Sequence, residues 1–353
     1  MIERSQLFAY SLHFVLAGAI ACLSASLTAL LIRHLRLIDV PNARSSHLRA
    51  TPRGGGIAIV CAFLAGISLI HLIGEVTPIG ARYFLGFLVS AAIVAGLSIL
   101  DDFRDIAPRI KLGVQLAAMA IALMSGLVID ELHLQGLGVV EMGWWGIPLS
   151  LLWILGLTNA FNFMDGLDGL AASNAAIASA FFAVISHQQG SLFIYLASLV
   201  LCAACLGFLA FNLPPARIFM GDVGSTFLGF TLAVMAIIAA RYDRSHTSLF
   251  VVPLLLFHFI FDTAFSFLRR LLRGEPVLRA HRTHLYQLLN QLGFSHGRVT
   301  LAYCAMAVFQ GGAAIWMVNI GGDSRVWIFL PILALHCAYA GWIVSASKRR
   351  GLI

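Results

Sequence analysis

The stretch GIPLSLLWILGLTNAFNFMDGLDGLA, residues 146–171, decides how the chain is to be read. Its first half is an apolar run of the length a helix needs to approach 30 Å of hydrocarbon. Its second half puts Asn159, Asn162, Asp165 and Asp168 where that helix should be ending. A three-residue spacing can set these side chains on one face of a turn or helix end. They can equally be turn residues before Gly166 and Gly169, with Asp168 capping the next helix.

The rest of the chain repeats the first half of that pattern. Of its 353 residues, 60% are hydrophobic and 11% charged, and the mean hydropathy is +0.90, which excludes an ordinary water-soluble domain. About eleven apolar runs are predicted to span a membrane, over 8–32, 55–74, 79–100, 110–128, 144–161, 169–187, 191–212, 223–240, 248–270, 298–319 and 325–346. The expected fold is all-α, a single polytopic domain over 1–353. All but five of the 23 Lys and Arg fall on alternate connections, in 33–53, 104–111, 217, 269–298 and 348–350. The positive-inside rule makes that side cytoplasmic, with the N-terminus periplasmic and the C-terminus cytoplasmic. The net charge of +7 follows in part from this topology, and no nucleic-acid partner is expected. The six cysteines lie within apolar runs and read as small buried hydrophobes.

The acids are few enough to place singly. Glu3, Glu75, Asp130, Glu131, Glu141, Asp243 and Asp323 fall in outer connections, where solvation is the default role. Asp39, Asp101, Asp102, Asp105, Asp165, Asp168, Asp222 and Glu275 fall on the basic side, and Asp262 lies within a span about two turns from Arg269. SILDDFRDIAPRIKLG (98–113) and NLPPARIFMGDVGSTFLG (212–229) carry acids at helix ends as 146–171 does. Acids at the C-terminus of a helix oppose its macrodipole, so Asp101 and Asp102 need another reason to be there. If the three ends converge, carboxylates about 4 Å apart repel by roughly 4 kcal/mol at an effective dielectric near 20. A divalent cation relieves that, and an all-oxygen donor set favours Mg²⁺, with Mn²⁺ as a substitute.

Two basic loops face the same way. In RHLRLIDVPNARSSHLRATPRGGG (33–56), Asp39, Pro41 and Asn42 suggest a tight turn, and Gly54 to Gly56 after Arg53 could bring backbone N–H groups to a phosphate. The last large loop sets His281, Arg282 and His284 beside the amphipathic LYQLLNQLGF, expected to lie on the membrane surface or over the acidic cavity.

In this order and between these spans, DDFRD, NAFNFMDGLDGLA, NLPPARIFMGDVGSTFLG and the His-bearing loop resemble the polyprenyl-phosphate N-acetylhexosamine-1-phosphate transferases, the superfamily of phospho-MurNAc-pentapeptide translocase. DVPNARSSHLRATPRGG looks like the branch that uses UDP-GlcNAc and related sugars, and is similar to a subgroup initiating O-antigen chains with sugars such as FucNAc or QuiNAc. The resemblance implies attack of undecaprenyl phosphate on the β-phosphorus of a UDP-N-acetyl amino sugar, with release of UMP, in a bacterial inner membrane. It implies Asp222 as a Mg²⁺ ligand with Asp102 supporting it, and Asp101 as base or positioner for the lipid phosphate. Asn162, Asp165, Asp168 and Asn212 would serve the nucleotide side, and Arg53, His281, Arg282 and His284 the pyrophosphate or sugar. The partners are the two substrates and bilayer lipid, with a homodimer as an option for assembly. Where the family carries HIHH or HHH, HRTHLYQL keeps His284 and has Tyr286 and Gln287. The competing readings are the MurNAc-pentapeptide reaction and, from a different class, a secondary transporter or lipid flippase; transporters place ionisable groups near the midplane, whereas here the acids crowd one face and, of the acids, only Asp262 lies within a span.

Overall fold

The computed structural model describes residues 4–41, 49–73, 79–104, 106–134, 138–242, 247–276, 281–320 and 325–353. Asn42 and Asp105, with Glu3, Glu75, Asp243 and Asp323, lie outside these. The helices among the described residues are α1 (Arg4–His34), α2 (Gly56–Ile73), α3 (Ala81–Arg104), α4 (Pro108–Met124), α5 (Gly146–Met164), α6 (Leu170–Gln188), α7 (Leu192–Asn212), α8 (Gly221–Ile237), α9 (Val251–Leu255), α10 (Phe257–Leu272), α11 (Leu285–Gln291), α12 (His296–Asn319) and α13 (Phe329–Arg349). Two short antiparallel hairpins accompany them: β1 (Ile38–Asp39) with β2 (Thr51–Pro52), and β3 (Glu131–Leu134) with β4 (Gly138–Glu141). The chain is thus a mostly helical, multi-pass membrane protein.

Among the described residues eight helices are long and apolar enough to cross a membrane, and they fall on eight of the eleven expected runs. The other three runs are helical but short or broken. α2 and α4 are shorter, α4 opening on Pro108, whose missing N–H belongs to no helical bond at that position. The run over 248–270 is interrupted at Leu256, whose carbonyl receives the N–H of both Phe259 and Ile260. Just past the break, buried His258 places Nδ1 2.6 Å from Gln310 Oε1 on α12 and Nε2 2.8 Å from Asn174 Oδ1 on α6. Gln310 Nε2 lies 3.2 Å from His336 Nε2 on α13. A polar side chain at this depth needs such partners, and these tie α10 to three neighbours.

α8 is the axis of the bundle, with 94% of its apolar window buried against 17% for α1, and it packs on α2, α3 and α5. Lipid tails are as apolar as leucine, so close packing rather than water exclusion holds such helices together. At the α2–α8 crossing a Cβ on Gly56 would lie 2.3 Å from Gly224 Cα, so the two backbones touch. α7 packs on α1, α2 and α6, and α12 on α6. Of the cysteines expected to be buried, Cys205 is, whereas Cys22, Cys61 and Cys337 face out of the bundle, where lipid accepts a thiol as readily as the core does.

Candidate active site

The expected convergence of acids begins where α3 ends against the start of α8. Asp102 Oδ1 accepts the N–H of Asp222 at 3.1 Å and Oδ2 that of Val223 at 3.3 Å. The acid that opposes the dipole of its own helix therefore sits on the positive end of another. Gly221, with φ +78°, makes this approach possible, since a Cβ there would lie 2.6 Å from Asp102 Oδ2. Arg53 Nη2 stands 2.8 Å from both Asp102 Oδ1 and Asp222 Oδ1, bridging the two carboxylates. On the other flank Lys111 Nζ contacts Asp101 Oδ2 and lies 3.7 Å from Asp222 Oδ2, while Asp101 Oδ1 accepts the Ile106 N–H at 2.8 Å. Three acids and two bases thus alternate, and Asp222 is common to both bridges.

Arg53 is carried by main-chain bonds. Its N–H donates to Leu37, Phe219 N–H to Pro52, and Gly55 and Gly56 N–H to Phe219 and Met220, so the first loop is zipped to the segment before α8. These bonds correct the expectation that Gly54 to Gly56 offer amides to a phosphate. The amides of Gly55 and Gly56 are already used, and the glycines are there for the contact with α8.

A cavity of about 350 Å³ opens beside this cluster, lined by Arg53, Asn162, Asp165, Asp168, Asn212, Asp222 and Arg282 among others. The expected nucleotide-side residues divide within it. Asp165 caps α5, and Asn162 Nδ2 donates to Ser225 Oγ of α8 at 3.1 Å. Asp168 and Asn212 are staples as well as lining: Asp168 Oδ2 accepts the Ala216 N–H at 3.0 Å and Oδ1 lies 3.1 Å from His296 Nδ1, while Asn212 bonds the Gly169 N–H and the Ile218 carbonyl. Burial, reinforced by the negative charge of Asp222 and then Asp102, pushes the Asp165 carboxyl up to about 7.

The last loop departs most from expectation. Arg282 lines the cavity, but His284 is buried with Nδ1 3.3 Å from Asp262 Oδ1, and neither it nor His281 lines the cavity. His281 accepts the N–H and hydroxyl of Thr283 on Nδ1. Burial, with His284, Arg270 and Arg269 nearby, lowers it to about 4, so it carries no charge for an anion at neutral pH. Tyr286 and Gln287 link this loop to the end of α5: Tyr286 donates its hydroxyl to the Phe163 carbonyl at 2.8 Å, Gln287 Nε2 donates to that hydroxyl at 3.1 Å, and Gln287 lines the cavity with Asn290.

Lys111 was missed, although it is one of two lysines among 23 Lys and Arg, a choice of residue type that marks it out. Asp39, expected on this face, and Gln287 of the His-bearing loop join the lining, as do Ser225 and Asn290, for which there is no local signal. Among the described residues no three His, Cys, Asp or Glu side chains approach closely enough to form a metal cage. Asp102 is committed to Arg53 and the α8 amides. Asp222 and Asp165 both line the cavity and are the carboxylates that could hold Mg²⁺, an ion commonly bound by one or two carboxylates and completed by substrate phosphates and water, although Asp222, like Asp102, would have to yield its contact with Arg53.

Residues 84–240, which hold the ends of α3 and α5 and all of α8, match the profile of glycosyl transferase family 4. The chain is 31% identical over 318 residues to a probable undecaprenyl-phosphate N-acetylglucosaminyl 1-phosphate transferase of Bacillus subtilis, covering 87% of each. It is 31% identical to a decaprenyl-phosphate N-acetylglucosaminephosphotransferase of Mycobacterium leprae, over 84% of this chain and 81% of that one. A phospho-N-acetylmuramoyl-pentapeptide-transferase of Listeria welshimeri is 29% identical over 76% of this chain and 84% of its own length. With four motifs in order, Asp101 and Asp102 linked to Asp222 at the start of α8, and this similarity over most of its length, the chain belongs to glycosyl transferase family 4 and is a membrane glycosyl-1-phosphate transferase.

Proposed function

We propose that the protein transfers N-acetyl amino-sugar 1-phosphate from a UDP-sugar to undecaprenyl phosphate, releasing UMP, at the cytoplasmic face of a bacterial inner membrane, as the first step of O-antigen or another cell-surface glycan. The observation that carries this reading is the cavity at the helix ends, which Asp165, Asp222, Arg53 and Arg282 line together. Such a site is within reach of a lipid phosphate from the bilayer and a nucleotide sugar from water.

Asp222 and Asp165 would hold Mg²⁺, which when bound supplies charge neutralisation between the phosphates. Arg53 fixes Asp222 from one side and Lys111 from the other, so the carboxylate is oriented before substrate arrives. Arg282 is placed to take the pyrophosphate by its planar fork. The acceptor is a phosphate monoester with a second pKa near 6, dianionic for the most part at neutral pH, so its oxygen attacks the β-phosphorus without a strong base. Asp101, bonded to Lys111 and the Ile106 amide and outside the cavity lining, serves through Lys111 as a positioner rather than a proton acceptor. The names of the B. subtilis and M. leprae relatives favour GlcNAc as the sugar, with FucNAc and QuiNAc as the nearest alternatives.

The test is UMP release by purified protein with undecaprenyl phosphate and Mg²⁺ against UDP-GlcNAc, UDP-FucNAc, UDP-QuiNAc and UDP-MurNAc-pentapeptide, with an EDTA control. EDTA-sensitive release with a UDP-HexNAc is expected. Release with the pentapeptide substrate alone moves the protein to the other branch, and silence from folded protein refutes the reading.

A further inference from the structure

One buried carboxylate outside the cavity lining has a partner set of its own. Asp262 on α10 is 1% exposed. A carboxylate at that depth is strongly disfavoured unless its oxygens are saturated. Five donors reach it: Ser266 Oγ of its own helix at 3.1 Å, Tyr303 OH of α12 at 2.8 Å, His284 Nδ1 at 3.3 Å, and the backbone N–H groups of Leu285 and Tyr286 at 2.8 and 3.1 Å. Three of the five come from consecutive residues. Arg269, the partner suggested by sequence, donates instead to the Thr283 carbonyl at 2.6 Å.

We propose that Asp262 is a positioning residue that clamps α11 over the cavity and thereby sets the nucleotide-sugar side of the site; the functional part of this inference rests on the reaction proposed above. α11 has seven residues, too few to hold a helix by itself, and its first amides have no partner within it. Asp262 takes two of those amides from outside. The clamped segment carries Gln287 and Asn290, and Arg282 precedes it, its carbonyl held by Gln291 Nε2 at 2.6 Å. The same segment carries Tyr286, whose hydroxyl bonds the Phe163 carbonyl, two residues before Asp165. That hydroxyl also lies 2.2 Å from where a Cβ on Gly166 would be, so only glycine fits between Asp165 and Leu167. One carboxylate that does not line the cavity thus orients residues on two of its walls. The orientation of His284 follows as well: with Nδ1 on Asp262, Nε2 is the nitrogen left for any other partner.

The experiment compares Asp262→Asn and Tyr303→Phe with wild type in two readouts. Asparagine keeps the shape, but its amide group opposes a backbone N–H that the second oxygen accepted. Hydrogen exchange at Leu285 and Tyr286 is expected to quicken at least ten-fold in Asp262→Asn, with α6 and α7 unchanged. The KM for UDP-GlcNAc is expected to rise at least ten-fold while that for undecaprenyl phosphate stays within two-fold. Tyr303→Phe, which removes one of five donors, is expected to move the nucleotide-sugar KM two- to three-fold in the same direction, and it carries the comparison if Asp262→Asn does not accumulate folded. Unchanged exchange at α11, or a fall in kcat with both KM values unchanged, overturns the proposal. Wild-type protein that releases no UMP refutes the proposed reaction instead, and the exchange readout, which needs no turnover, then decides the clamp.

Discussion

Cation binding should depend on pH through Asp165. Its carboxyl lies at about 7, far above an ordinary aspartate, because of burial and the neighbouring charges of Asp222 and Asp102. Folded-state proton affinity is therefore higher than in the unfolded chain, and the stability this group contributes is present at low pH and lost as pH rises through about 7. On the proposed Mg²⁺ reading, a divalent cation would compete for the same oxygens and bind the ionised form. From pH 6 to pH 8 the ionised fraction rises from about 9% to about 91%, a ten-fold gain in apparent Mg²⁺ affinity, or about 1.4 kcal/mol of added stabilisation at saturating metal. The assay is thermal unfolding in detergent at each pH, with Mg²⁺ or EDTA. The Mg²⁺-induced shift should be clearly larger at pH 8 than at pH 6, and Asp165→Asn should remove the difference. Equal shifts at both pH values in wild type would show that Asp165 takes no part in metal binding.

Replacing Arg53 by Met leaves Asp102 and Asp222 without the guanidinium they share at 2.8 Å, and kcat/KM should fall about 100-fold while the protein stays folded; steady-state UMP release checks this, and Lys111→Met should fall comparably, with Lys111→Arg retaining more activity. Gly56→Ala places a methyl 2.3 Å from Gly224 Cα and should destabilise by about 1–3 kcal/mol as α2 and α8 separate, whereas Gly18→Ala, with nothing within 4 Å, should leave the melting temperature unchanged. His258→Leu removes the imidazole that bonds the side-chain amides of Asn174 and Gln310 and leaves each short of one partner, which should cost about 1–3 kcal/mol in thermal stability without altering either substrate KM.

The spans were legible because hydrocarbon imposes a length and a composition that few other environments demand. The three acid-bearing ends were legible because carboxylates at the end of an apolar run contradict the environment of that run and call for a reason. Partners across the fold were not. Nothing near Asp102 says that Arg53 or the α8 amides will meet it, since those contacts join residues far apart in the chain. His284 looked like a ligand because it sits beside Arg282, yet a β-region backbone at that residue turns its ring inward to Asp262. The glycines after Arg53 suggest a phosphate-binding turn from sequence, and only the position of Gly224 reveals their part in packing. Asp262 was ambiguous for the same reason: saturation of a buried carboxylate depends on amides 23 and 24 residues away that local pattern does not register.

The main-chain zipper between residues 52–56 and 219–220 bears on how the protein is made. Its two halves emerge from the ribosome more than 160 residues apart. Bonds between main-chain groups are indifferent to most side chains, so they tolerate divergence in this loop provided the glycine contact survives. They also impose an order on biogenesis: the N-terminal spans can insert, but Arg53 has no seat until α8 has been synthesised and packed against α2. A nascent chain truncated before that point holds Asp101, Asp102 and Arg53 without Asp222, the group that joins them, and so cannot assemble a working centre in the membrane ahead of the rest of the bundle.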